Sequence, residues 1–503
     1  MYFHNEFRLE RFAARPTTHN PRLMPFKIVI LWTDALVWLL VAAVIGFALY
    51  VRRHEHLVDP WRKVARSGSG MVGLVVLAMF VVVGLLDSLH FRPRLAEQSP
   101  GAKAAYAVDV LSMMDVLLEP LRKRVEKTYS APLAIELYAK ETVELADGRQ
   151  AREYPRLKYG GAHLKDAQQD FASDVARRGL AGVAGGVVLW LVLATLLCAL
   201  LAHRLSLRTD EVWRRIWHGG TEVPWDAILL TALVILVIAG PAAFLSAKYH
   251  IFGTDKVGQD VLYQALKSIR TGLVIGTLTT LVMLPFAIAL GIMAGYFGGW
   301  IDDLIQYVYT TLNSIPGVLL IAAVVLMMQV YIDTHPDLFT TSAERADFRL
   351  LCLCAILGVT TWTGLCRLLR GETLKLRGLE YIQAAHALGV RHLRVITRHV
   401  LPNVTHIVLI AVVMEFSGLV LAEAVLSYVG VGVDPSMISF GTMINSARLE
   451  MAREPMVWWS LAAAFVFMFV MVLAANLFAD AVRDAFDPRI RVARPLRLAA
   501  QNA

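Results

Sequence analysis

Nine stretches of the chain are almost free of charge and long: about 26–50, 69–89, 180–202, 226–245, 272–295, 304–330, 350–369, 403–429 and 456–477. Crossing ~30 Å of hydrocarbon takes about 20 helical residues. Lipid offers no partner to backbone N–H and C=O groups, so each span must satisfy its own as a helix. The pattern therefore predicts an all-α polytopic membrane protein. The first stretch is long and lacks a small-residue cleavage site followed by a soluble domain, so it reads as a span and not as a cleaved leader.

Charge between the stretches sets the expected orientation, because short loops rich in Lys and Arg stay in the cytoplasm. Residues 370–402 hold Arg370, Lys375, Arg377, Arg391, Arg394 and Arg398 against Glu372 and Glu380, and are read as cytoplasmic. The preceding loop, with Asp333, Asp337, Glu344 and Asp347, falls outside. The tail with Arg483, Arg489, Arg491, Arg494 and Arg497 falls inside, as do the loops with Arg204, Arg208, Arg214 and Arg215 and with Arg52, Arg53, Arg62, Lys63 and Arg66. Residues 91–178 are then external, nearly balanced at 15 Lys/Arg to 13 Asp/Glu. Within them, 104–127 shows helical spacing of Val108, Leu111, Met114, Leu117, Leu118 and Leu121, interrupted at Pro120, and predicts a small helical domain. Nine spans place the N-terminus outside, against the positive-inside rule, because Arg8, Arg11, Arg15 and Arg22 face only Glu6 and Glu10. A start at Met24 would remove all four arginines. Asp59-Pro-Trp-Arg-Lys and Glu211-Val-Trp-Arg-Arg read as basic, tryptophan-bearing collars at the membrane surface.

Composition fits this picture: 57% of the 503 residues are hydrophobic and 18% charged, a poor match to a water-soluble globule. The net charge of +8 sits in the loops beside the spans, so a lipid bilayer, and no nucleic acid, is the expected partner. Cys198, Cys352, Cys354 and Cys366 all fall inside apolar stretches and suggest neither a disulfide framework nor a zinc site. His386, His392, His399 and His406 recur every six or seven residues, which is not the i, i+4 spacing of paired ligands on one helix, so no metal site is expected. The chain lacks a Gly-x-x-x-x-Gly-Lys-Ser/Thr phosphate loop, His-Glu-x-x-His and Gly-x-Ser-x-Gly, which leaves no expected catalytic residues and requires any ATP-driven motor to be another subunit. The apolar spans show no obvious chain of paired charges, which argues against a secondary transporter.

The candidate functional segment is 379–402. Ile382, Ala385 and Leu388 share one helical face, Gly389 permits a sharp turn, and a second amphipathic piece runs to Leu401-Pro402. Such a short helix makes a rigid knob, and the small Ala384 and Ala385 let another protein's groove pack closely. Among polar residues of the spans, Glu415 and Glu423 are candidates for facing a pathway or a partner, since a carboxylate in lipid is costly; Glu423 also reads as a helix-end group near the external surface. Asp34 follows the same logic. Pro316, after Asn313-Ser-Ile, opens a span's hydrogen-bond ladder, for gating or a simple kink. Gly253-Thr254-Asp255, Gly258 and Asp260 have the make-up of a tight external turn that could cap the pathway mouth.

The segment Gln383-Ala384-Ala385, Gly389, Leu401-Pro402 resembles the cytoplasmic loop of ABC importer permeases, with Gln383 in place of the usual Glu and His399 in place of an aliphatic residue. Gly253-Thr254-Asp255, Gly258 and Asp260 are similar to the signature of the dipeptide and oligopeptide group, with Gln259 in place of Arg. Gly295–Asp302, Leu421–Gly432 and Asp480–Pro488 also look like that family. The resemblance covers about 225–489 and leaves 1–205 as an unexplained extension. It implies a bacterial inner-membrane permease with a six-helix core, to which the apolar stretches of the extension add about three N-terminal spans. Its coupling helix, carrying Glu380, Tyr381, Gln383, Ala384, Ala385, Leu388 and Gly389 with Leu401 and Pro402 behind it, would dock an ATPase. The implied partners are a homologous second permease, two ATPase subunits, an external substrate-binding protein and a peptide substrate. This chain would bind no cofactor, ATP and Mg2+ being held by the ATPases. Import of nickel chelates or another small solute, and a membrane sensor or scaffold built on the external domain, are the alternatives. The expected division is 1–90, N-terminal spans; 91–178, external; 179–224, third extra span and basic linker; 225–490, permease core; and 491–503, tail.

Overall fold

The computed structural model describes residues 26–95, 106–144, 150–339 and 341–486. The arginines before Met24, Met24 itself, Asp487-Pro488 and the 491–503 tail lie outside the described residues. Among the described residues, nine helices are long and apolar enough to cross a membrane, as the hydrophobic pattern predicts.

The extension opens with β1 (Phe26–Val29), α1 (Trp32–Arg52), the short α2 (Glu55–Arg66) and α3 (Gly68–Asp87). β2 (His90–Pro93) follows α3 and pairs antiparallel with β1, Val29 opposite His90, so the chain enters α1 and leaves α3 at the same end of the molecule. β3 (Leu111–Ser112) completes this small sheet, and β4 (Glu141–Glu144) with β5 (Gln150–Glu153) forms a hairpin. Helical structure between them is confined to α4 (Met113–Leu117) and α5 (Glu119–Lys123). This corrects the continuous helical spacing read across 104–127. Ser112 and Asp115 form a reciprocal cap that starts α4 only at Met113, and Pro120 sits in the first turn of α5, so neither helix can merge with its neighbour.

α6 (Ala167–Leu205), α7 (Thr209–Trp217) and α8 (Trp225–Ser246) lead into the core. α6 and α8 lie backbone to backbone: a Cβ on Gly186 would strike the Leu236 carbonyl, and one on Gly240 the Gly182 carbonyl. α7 buries Val212 and Ile216 beside Trp190 and Leu229, whereas Trp61 and Val64 of α2 pack on Phe478, Ala481 and Phe486. Both predicted collars are thus short helices lying across the ends of spans.

The core continues with α9 (Val261–Phe297), α10 (Gly299–Ser314), α11 (Gly317–Thr334), α12 (Ser342–Thr361), α13 (Thr363–Arg377), α14 (Glu380–Ala387), α15 (His392–Val395), α16 (Leu401–Val429), α17 (Phe440–Glu450) and α18 (Trp459–Phe486). Asp260 accepts hydrogen bonds from the Leu262 and Tyr263 N–H groups and starts α9 well before the predicted 272, giving 37 residues, about 55 Å, more than a bilayer needs. The predicted span 304–330 is two helices. Pro316 has no N–H and forces Ile315 into extended backbone, so α10 stops at Ser314 and α11 begins at Gly317. Gly73 of α3 sits against the Ala474 carbonyl of α18, which places an extension helix directly on the core.

Candidate functional site

The 379–402 loop lies at one end of the bundle. Ile382 and Ala385 anchor α14 by burial among Tyr296, Leu369, Val395, Val400 and Val404. Leu388, expected on the same face, is 83% exposed because the helix ends there. Gly389 follows at φ +74°, the left-handed geometry that lets its N–H reach the His386 carbonyl and the Val390 N–H the Ala385 carbonyl. A Cβ there would meet open space, so the requirement for glycine is conformational only. Tyr296 Oη lies 3.0 Å from both His386 Nε2 and His392 Nδ1, fastening α14 and α15 to the end of α9. Gln383 Nε2 donates to the Gly378 carbonyl at 3.2 Å, and Asn403 Nδ2 donates to Tyr381 Oη at 3.2 Å. Glu380, Tyr381, Gln383, Ala384, Leu388 and Pro402 face outward, while Leu401 is half-buried behind them. Ala385 is therefore an internal anchor and not a contact surface. Arg370 grips Asp302 with two hydrogen bonds, at 2.5 and 2.7 Å, joining α13 to α10 beneath the knob. Tyr296 and Arg370 are not among the expected site residues; the sequence signal for them is the family-like segment 295–302, which contains Tyr296 and Asp302.

The 253–260 turn lies at the opposite end. Thr254 Oγ1 donates to the Thr128 carbonyl at 2.8 Å and accepts from the Ser130 N–H at 2.7 Å. Asp255 accepts from the Val257 and Gln259 N–H groups and from Gln264 Nε2. Gly253 at φ +69° and Gly258 at φ +78° press so close to the Ser130 and Glu126 carbonyls that any Cβ would collide. Asp260 Oδ2 meets His250 Nδ1 at 2.7 Å, and His250 Nε2 lies 3.4 Å from Glu126 Oε1. Glu126 also accepts from the Lys158, Tyr159 and Gly160 N–H groups. Burial works to lower the His250 imidazole, but hydrogen bonds and charge from Asp260 and Glu126 prevail and push it up to about 9. Burial likewise works against the Glu126 carboxylate, yet His250 and the three N–H groups hold it at about 2. The turn, expected to cap a pathway mouth, uses its polar groups to clasp the 126–160 segment.

The polar residues of the spans divide. Glu423 is 1% exposed and accepts from Ser427 Oγ at 2.7 Å and Ser439 Oγ at 2.8 Å. It joins α16 to the start of α17, which corrects the expectation that it faces a pathway or a partner; it lies in the last two turns of α16, as a helix-end group would. Glu415 is half-buried on α16. Asn313 and Pro316 are exposed at the α10–α11 break, where Asn313 Oδ1 accepts from Thr363 Oγ1 at 3.1 Å. Asp34 is buried against Arg270 Nη2 at 2.5 Å and His90 Nδ1 at 2.7 Å, with Thr33 binding Asp347 alongside. Lys267 reaches Asp87 at 2.6 Å and Asp115 at 3.1 Å. Paired charges thus gather at the span ends, a feature that the reading of the apolar stretches did not address. The partners are too far apart along the chain to be matched by spacing.

The family described as the binding-protein-dependent transport system inner membrane component matches residues 287–492. The glutathione transport system permease protein GsiD of Pectobacterium atrosepticum is 31% identical over 307 residues, which cover 57% of this chain and 93% of that relative. The oligopeptide transport system permease protein OppC of Mycobacterium bovis is 33% identical over 245 residues, 49% of this chain and 78% of the relative. The dipeptide transport system permease protein DppC of Bacillus subtilis is 27% identical over 299 residues, 56% of this chain and 86% of the relative. With nine helices among the described residues long and apolar enough to cross a membrane, an anchored outward knob and relatives covered over most of their length, this chain belongs to the binding-protein-dependent inner-membrane permeases of ABC importers.

Proposed function

We infer that this permease imports peptides, working with a homologous second permease, two ATPase subunits that hold ATP and Mg2+, and an external binding protein. The knob end is cytoplasmic, and the 91–178 segment, with the 253–260 clasp, is periplasmic. The peptide assignment draws on the relatives named above, whose names specify glutathione, oligopeptides and dipeptides. The coupling role is carried by one observation: Ile382 and Ala385 fix α14 to the membrane bundle from behind, while Tyr381, Gln383, Ala384 and Leu388 stay exposed in front. A rigid helix with a free face transmits a push from a docked ATPase to α9, α13 and α16. Closure of the ATPases and delivery of substrate then bias two arrangements of the bundle differently.

The test is Ala384→Arg in the assembled complex. The exposed site tolerates the side chain for folding, so membrane insertion persists, while ATPase retention on the membrane and peptide uptake are lost. Normal uptake by this variant would remove the docking role from α14.

A further inference from the structure

A cavity of about 340 Å³ opens at the end opposite the knob, between the end of α11, the start of α12 and the loop before α17. Gln329, Asp333, Arg345, Arg349, Asp434 and Ser436 carry its polar chemistry. Arg349 is the unusual member. Its side chain is only 9% exposed, and Nε has no hydrogen-bond partner among the described residues. Its one ion pair among the described residues, Nη1 to Asp434 Oδ2, is loose at 3.6 Å. Asp434 is itself engaged elsewhere, Oδ1 accepting from the Ser436 N–H at 2.9 Å and Oγ at 2.7 Å. Buried polar groups are nearly always satisfied, and a buried guanidinium with a free donor edge is costly unless something arrives to complete it. Arg345, one helical turn earlier, is exposed and lines the same cavity, so two guanidinium groups share it. Two planar donor forks in a pocket of this size suit a planar carboxylate, which can accept two parallel N–H bonds from one of them.

We propose that Arg345 and Arg349 form a carboxylate subsite that takes the C-terminal carboxylate of the cargo peptide at the outer end of the permease. The inference rests on the peptide-import reading above and deepens it. Arg349 supplies the buried, oriented fork, Arg345 draws the anion in from the rim, and Asp434 with Ser436 fixes one side of Arg349.

The experiment uses the complete transporter with its binding protein in proteoliposomes. Uptake of one peptide with a free C-terminus is compared with that of the same peptide C-terminally amidated, and the acid-to-amide ratio is read within each preparation, so that differences in yield cancel. The ratio is expected to fall about tenfold in Arg349→Gln, a loss of roughly one charge-assisted contact, and to fall in the same direction in Arg345→Gln. Arg345 is exposed, so that variant keeps the test alive if Arg349→Gln does not assemble. Arg349→Lys, which keeps the charge but not the fork, is expected to lie between. Both glutamine variants keeping the native ratio overturns the subsite. Equal slowing of acid and amide also overturns it, since the arginines then grip carboxylates of the binding protein and not of the cargo. Uptake of neither peptide by the native complex has a separate signature: it refutes the peptide reading itself, and the subsite's ligand with it.

Discussion

At His250 a single imidazole stands between two carboxylates, and its surroundings give the clasp a defined pH range. The folded value for Glu126, about 2, lies below its ordinary 4.5, so its contribution to stability is full above 4.5 and is lost as pH falls toward 2. The folded value for His250, about 9, lies above its ordinary 6.5, so its contribution is full below 6.5 and is lost as pH rises through 9. Protection of the Lys158, Tyr159 and Gly160 amides from hydrogen exchange, corrected for intrinsic rate, should therefore be greatest between pH 4.5 and 6.5 and decline as pH rises from 6.5 through 9. In His250→Ala the alkaline fall should vanish, and the remaining buried carboxylates should cost about 3–5 kcal/mol of stability. The two kinds of glycine separate in the same way. Gly389 needs only a left-handed backbone, so Gly389→Asn should keep uptake within about twofold, Asn being tolerated there. Gly258 needs the space as well, so Gly258→Ala should free the 126–160 segment to proteolysis. The sequence marks both glycines as turn residues; only the neighbouring Glu126 carbonyl tells them apart.

Among the elements, close helix contacts decide how the extension attaches. Membrane helices gain little from hydrophobicity against one another and rely on tight packing, which Gly73 provides where α3 meets α18 and Gly186 where α6 meets α8. Gly73→Leu should push α3 off the Ala474 carbonyl and lower the thermal midpoint of the purified protein by several degrees, corresponding to about 1–3 kcal/mol. A midpoint unchanged from the native protein would show that α3 does not bear on the core. Helix existence was legible from run length alone, since lipid forces each apolar stretch to close its own hydrogen bonds. Helix ends were less so: Asp260 extends α9 beyond the apolar run, and Pro316 divides a run that reads as continuous. The 104–127 stretch misled for the same reason, because helical spacing of apolar residues does not reveal that Ser112, Asp115 and Pro120 impose early starts and stops.

Over the whole molecule, the extension and the core share buried charge. Asp34 of α1, His90 of β2, Arg270 of α9 and Asp347 of α12 meet in one cluster, and Lys267 joins Asp87 to Asp115 one turn away. Asp34→Ala should take from the Arg270 guanidinium its closest counter-charge, leaving it Asp347 at 3.7 Å, and destabilise the protein by up to about 3–5 kcal/mol, whereas the double change Asp34→Leu with Arg270→Met should recover part of that loss, because the closest pair is then removed together while Thr33 still binds Asp347. Thermal denaturation in detergent checks both; a double variant no better than the single one would mean that the Asp34–Arg270 contact does not account for the loss.

The nine spans, the outward knob near Gln383-Ala384-Ala385 and the family follow from the sequence, because span length, loop charge and short motifs are local properties that bilayer and chain geometry enforce residue by residue. The burial of Glu423 under Ser439, the clasp of Glu126 on His250, the unfilled donor edge of Arg349 and the pairing of Asp34 with Arg270, 236 residues away, were decided by the tertiary structure. Whether a charge is paired, stranded or facing solvent depends on which side chains the packed helices bring within about 3 Å of it, and no local spacing encodes that.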